Sequence, residues 1–202
     1  MNTKILKEEY GSKKSIIKKR LKEFSNVDKK DLFYEMCFCL LTPQSNAYKC
    51  DECISILKNK NFLYKNFEIK NILKEKTRFY KNKSNYIITL KSDYKDIMVD
   101  ISKINDNKSK REFLARNVKG LGYKEASHFL RNTGHRDLAI LDRHILKNLN
   151  KLRVIREIPK SLTPTKYLEI EDKFHDFSKK IGIHMDELDL LFWSMETGKV
   201  FK

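Results

Sequence analysis

A chain of 202 residues with 40% hydrophobic content can fold around a buried pocket, and none of its apolar runs approaches the roughly 20 residues a membrane-spanning helix needs. Its 43 Lys+Arg against 27 Asp+Glu give a formal charge of +16, a positive field suited to a polyanion, although charge alone leaves a merely solvated lysine-rich surface equally open. The opening Met1-Asn-Thr-Lys-Ile-Leu-Lys-Glu-Glu places acids where a secretory signal would be apolar, so no targeting segment and an intracellular location are expected.

Taken in order, the apolar positions recur at helical spacing: Ile17/Leu21/Phe24, then Phe33/Met36/Cys37/Leu40/Leu41. All four cysteines, Cys37, Cys39, Cys50 and Cys53, fall near this second run. Cys50-x-x-Cys53 is half a metal knuckle without its other half, and Cys37 and Cys39 point to different sides of a helix, so reduced, partly buried thiols are expected and no metal. Gln44, the only glutamine, follows Pro43 where a turn or helix cap would sit. Tyr86-Ile-Ile-Thr-Leu might pass for a strand but runs into a stretch with helical spacing, and is read as helix. Asn107 or Ser109 is a plausible N-cap for a helix over 107–116. Further on come Leu138/Leu141/Ile145/Leu149/Leu152 and Leu188/Leu191/Phe192/Met195. The predicted fold is all-α, and with no linker or repeat in view a second lobe would be built from both termini.

Three of the six glycines, Gly120, Gly122 and Gly134, lie within 15 positions of one another. Such clustering predicts a helix, a tight Gly-x-Gly hairpin, a second helix over Tyr123 to Asn132 and a left-handed cap at Gly134. Amides at the start of the second helix, aided by its dipole, suit a phosphate oxygen, a DNA contact that reads no sequence. Taken alone, a Gly-x-Gly is better explained by an ordinary turn between helices. A dinucleotide loop is excluded, because a helix and not a strand leads into the glycines.

The surrounding residues carry more. Val118-Lys-Gly-Leu-Gly-Tyr-Lys124-Glu-Ala126, followed 18 positions after Lys124 by Leu141-Asp142-Arg-His144-Ile, resembles the signature of the helix-hairpin-helix DNA glycosylases, with Lys119 where many members have proline. The resemblance implies two helical lobes, approximately 30–135 with a hairpin at 108–134, and 1–29 with 136–202, around an active-site cleft. It implies Lys124 as nucleophile, Asp142 as its carboxylate partner, phosphate contacts from Gly120, Gly122, Lys119 and His144, and Gln44, in Leu40-Leu-Thr-Pro-Gln44-Ser-Asn46, as the residue filling the gap left by an extruded base. No cofactor is implied, and a monomer is usual. Asp142 could equally cap the helix that follows it, and the two roles are compatible.

A free lysine amine titrates near about 10.4, so the nucleophile must lose a proton before it attacks C1′ of the sugar, and a helix N-terminus, nearby cations and burial all favour that loss. A carboxylate steadies the positive charge that develops on the sugar as the base departs. Trp193, the only tryptophan, precedes a short tail ending Thr197-Gly-Lys-Val-Phe-Lys202 that resembles the archaeal-type 8-oxoguanine DNA glycosylases. In that group the tryptophan stacks on the flipped base, and the terminal lysine, with its α-carboxylate, reads the base edge. Double-stranded DNA containing oxidised guanine is the expected partner. No cysteine follows Cys53, which argues against the endonuclease III branch with its C-terminal iron–sulfur cluster. The remaining alternatives are a related glycosylase for another damaged base and a non-catalytic protein that grips phosphates.

Overall fold

The structure is a computed structural model that describes residues 2–202. Every regular element among them is helical: α1 (Thr3–Ser25), one 3₁₀ turn (Lys29–Asp31), α2 (Leu32–Leu41), α3 (Ala47–Asn59), α4 (Lys70–Lys74), α5 (Tyr80–Ser102), α6 (Asn107–Asn117), α7 (Tyr123–Asn132), α8 (Arg143–Lys151), α9 (Pro164–Ile181) and α10 (Met185–Thr197). The all-α expectation holds, and the strand-like 86–90 segment lies within α5. No helix among the described residues is long and apolar enough to cross a membrane. The chain divides into two compact units, a terminal one of Met1–Asn26 with Leu130–Lys202 and a central one of Val27–Phe129.

In the central unit, α2 packs on α3 and α5. Eight residues of α2, from Phe33 and Tyr34 to Leu40 and Leu41, are buried, so this helix is apolar on all sides and forms the core itself. Phe33 meets Tyr34 and Tyr94 edge-on, each with ring centroids 5.2 Å apart, contacts worth about 1 kcal/mol apiece beyond their buried area. All four cysteines are buried. Cys50 Sγ donates to the Leu41 carbonyl at 3.3 Å and Cys53 Sγ to that of Ile72 at 3.6 Å. Burial pushes the Cys50 thiol up to about 12 and the Cys53 thiol up to about 11.

Local chemistry sets the helix starts. The Asn46 side chain accepts from the Tyr48 and Lys49 amides to open α3. For α6 the cap is Asp106, whose carboxylate accepts from the Ser109 amide at 2.7 Å; the expected caps, Asn107 and Ser109, both lie inside the first turn. In the terminal unit α1 packs on α10, which also meets α8 and α9. The buried Ile17, Leu21 and Phe24 recur at one-turn spacing along α1, and Phe174 of α9 stacks on Phe192 of α10 at 6.1 Å.

Candidate active site

The hairpin joins α6 to α7 through Val118–Gly122, anchored by Val118 and Leu121, both buried. Gly120 has φ +96°, and a Cβ there would lie 2.5 Å from Cδ2 of the Tyr86 ring. Two demands therefore converge on one position: a left-handed backbone and an aromatic wall against it. Gly120→Ala should cost about 2–3 kcal/mol of stability. Thermal melting checks it, and an unchanged midpoint would mean that the ring and turn give way without penalty.

Gly122 behaves differently from expectation. Its φ is not left-handed, and its amide, expected to await a phosphate, donates to Glu125 Oε2 at 3.2 Å. The reason is a helix cap: Glu125 is the third residue of α7 and reaches back to the residue before the helix, half of a capping box. The other oxygen, Oε1, lies 3.0 Å from Lys124 Nζ, with the lysine side chain 26% exposed and the glutamate 14%. One carboxylate thus holds both the hairpin amide and the expected nucleophile. Sequence reasoning missed Glu125, although a glutamate three residues after a helix-opening glycine was the available signal. Behind the hairpin, the buried Arg111 of α6 donates to Ser127 Oγ at 3.4 Å and lies 5.0 Å from the Tyr123 ring centroid, so it fixes the first turns of α7 on α6. Lys119 is exposed beside Gly120.

Gln44 is exposed in the turn after α2 and takes the left-handed conformation, φ +54°, which costs a residue other than glycine on the order of 1 kcal/mol. Beneath it lies Lys83 of α5, only 4% exposed. Its Nζ donates to the carbonyls of Leu41 at 2.6 Å and Pro43 at 2.8 Å, and to Ser45 Oγ at 2.8 Å. Burial, with the Lys124 and Arg78 cations in range, holds the Lys83 pKa below the ordinary lysine value. Nothing in the sequence separates this lysine from the solvated ones.

Asp142 and its surroundings belong to the terminal unit. Residues 138–141 cross the core without helical bonds, so their polar backbone needs partners. Helix α9 supplies them: buried Glu171 accepts from the Ala139 amide at 2.7 Å, while the Tyr167 hydroxyl donates to the Ala139 carbonyl at 2.6 Å and accepts from the Leu141 amide at 3.3 Å. That platform delivers Asp142 to the start of α8, where Oδ1 accepts from both the His144 and Ile145 amides at 2.8 Å. The cap uses Oδ1 alone for these bonds. A second carboxylate, unforeseen from sequence, lies within electrostatic range: Asp189 of α10 is buried and pairs with Arg131 Nη2 at 3.3 Å. Burial pushes Asp189 up to about 7, against the lowering effect of Arg131 and with the Asp142 charge adding to the rise.

Trp193 lies one turn beyond Asp189 on α10, partly exposed. Gly198, φ +84°, ends the helix, and the tail returns so that the Phe201 ring lies 6.0 Å from that of Trp193; Lys202 is also partly exposed. His144 opens α8 and lines a groove of about 620 Å³ with Arg143, Lys147, Ile158 and Lys160. The structure therefore places Lys119, Gly120, Gly122, Lys124 and Gln44 on the central unit, and Asp142, His144, Trp193 and Lys202 on the terminal one.

Comparison with known proteins places the chain as a whole. The family described as 8-oxoguanine DNA glycosylase matches residues 17–183. A Fusobacterium nucleatum protein named 8-oxoguanine DNA glycosylase/AP lyase is 44% identical, over 96% of this chain and 94% of the relative. A Methanocaldococcus jannaschii protein of the same name is 42% identical over 94% of this chain and 93% of its own length. The solved structure of a Methanocaldococcus jannaschii 8-oxoguanine glycosylase/lyase in complex with a 15mer DNA containing 8-oxoguanine superposes with a TM-score of 0.88 at 39% identity, covering 98% of this chain and all of that one.

Proposed function

Because the chain belongs to the 8-oxoguanine DNA glycosylase family, we propose that it extrudes 8-oxoguanine from duplex DNA, excises it and cleaves the strand as an AP lyase, acting inside the cell on the chromosome. The observation that carries the reading is a match along nearly the whole chain to proteins named for both activities, one of them solved on DNA holding this lesion. The net charge of +16 suits the phosphate backbone, so binding weakens as salt rises.

In this reading the amine of Lys124 attacks C1′. The bond from C1′ to the base breaks, its electron pair leaves with the base, and a proton follows. Opening of the sugar ring at C1′–O4′ then gives a protonated imine and a hydroxyl at C4′. Loss of a proton from C2′ expels the 3′-phosphate, and water releases the lysine. Asp142 faces the positive charge on the sugar while the base departs. The hairpin glycines, Lys119 and His144 grip phosphates, with a phosphate displacing Glu125 from the Gly122 amide. Gln44 fills the vacated place in the stack, and Trp193 offers a flat wall to the flipped base, with Lys202 at its edge. The proximity of Phe201 to Trp193 supports a base-reading role for this tail.

Borohydride reduction of the imine tests the whole reading on duplexes carrying 8-oxoguanine, uracil or no lesion. A covalent adduct with the oxidised base alone is expected. Salt-sensitive binding to all three duplexes without an adduct would leave a protein that only grips phosphates.

A further inference from the structure

The Lys83 ammonium has no part in the chemistry just described, yet it is buried and its three acceptors are not scattered. The Pro43 carbonyl belongs to the peptide that enters Gln44, Ser45 follows Gln44 directly, and the Leu41 carbonyl closes the helix before the turn. One nitrogen thus holds the backbone before, and the Ser45 side chain just after, the single residue in this turn that takes a left-handed conformation. The Ser45 hydroxyl oxygen is fixed from a second direction, accepting from the Arg78 amide at 3.0 Å. Charge-assisted bonds of this kind are the strong ones, and in a buried setting they hold the chain rigidly. Capping a helix end would need only a glycine or a neutral side chain. A clamp that spans Gln44 fixes how that residue is presented to solvent.

We propose that Lys83 is a positioning residue for base extrusion: by binding the 41–45 turn on either side of Gln44, it holds Gln44 in the conformation from which its side chain enters the DNA stack. The inference rests on the reading of Gln44 as the gap-filling residue. Filling a gap after a base has left profits from a side chain already in place, because ordering it during the event would consume part of the binding energy. Lys83 touches neither the sugar nor the base in this scheme, so its loss burdens extrusion more than the later lyase step.

The test compares two substrates, an 8-oxoguanine duplex, where a base must leave the stack, and a duplex with a preformed abasic site, where none does. Single-turnover rates are measured for wild type, Lys83→Met, Gln44→Ala and the double variant, with folding followed by circular dichroism. Lys83→Met is expected to slow reaction on the 8-oxoguanine duplex about tenfold more than on the abasic one, and the double variant to be no slower than Gln44→Ala within about twofold. Equal losses on the two duplexes, or losses that multiply in the double variant, would overturn the proposal. If Lys83→Met does not fold, Ser45→Ala removes one acceptor and should show the same preference at about threefold; equal losses would again overturn it. A fully active Gln44→Ala would remove the gap-filling reading and this proposal with it, while adduct formation by wild type would still stand.

Discussion

Lys124→Gln should yield no borohydride-trapped adduct on an 8-oxoguanine duplex and should slow excision by about a thousandfold or more, because the amide nitrogen of glutamine cannot form an imine. Its fold should survive. The ion pair with Glu125 that the change removes is partly exposed on the lysine side, and pairs of that kind contribute less than about 1 kcal/mol. DNA affinity should change by only a few fold, since phosphate contacts through backbone amides and other basic residues remain. Gel analysis after reduction gives the adduct, and a binding titration at fixed salt gives the affinity. An adduct of undiminished yield would assign the nucleophile to another amine.

Asp142 requires a pair of variants, because its carboxylate has two duties. Asparagine caps helices as well as aspartate does, so Asp142→Asn should keep the bonds to the His144 and Ile145 amides and leave the melting temperature nearly unchanged. It removes the charge, however, and excision should fall by about 10²–10⁴-fold. Asp142→Ala loses the cap as well and should cost about 1 kcal/mol of stability on top of a similar loss of rate. Single-turnover excision and thermal melting, run on both variants, separate the duties. If Asp142→Asn excised at the wild-type rate while Asp142→Ala failed only in proportion to its instability, Asp142 would be a cap and nothing more.

The hairpin and the helix start that carry these two residues were legible in the sequence for a physical reason, whereas the roles proposed for them rest on the resemblance to the glycosylase signature. A glycine-rich reversal and a helix-opening aspartate are local features, governed by the backbone angles and orphan amides of a few neighbouring residues. The all-α fold was legible likewise, since apolar spacing persists through segments such as 86–90 that composition alone would misassign. What stayed hidden depends on contacts distant in the chain. Lys83 is one of many lysines, distinguished only by oxygens that the fold brings from about forty positions earlier. Glu171 and Tyr167 look like ordinary members of a charged helix until the unbonded backbone of 138–141 crosses beside them. Asp189 resembles a surface acid, although it sits within an apolar run. Gly122 shows a subtler limit: its position was foreseen, but its amide is held by a side chain only three residues away, a competition that the glycine pattern does not reveal.

The buried sulfur atoms of the central unit have a chemical consequence. Peroxide attacks the thiolate and not the thiol, and then only where it can reach the sulfur. With Cys50 up to about 12, Cys53 up to about 11 and Cys37 well above its ordinary value, almost none of these three is thiolate at neutral pH, and all four side chains are closed off from solvent. Under the proposed function, the oxidants that create 8-oxoguanine in DNA therefore find little to react with in the cysteines of the protein. On that proposal, repair capacity would outlast the same stress that raises the demand for it.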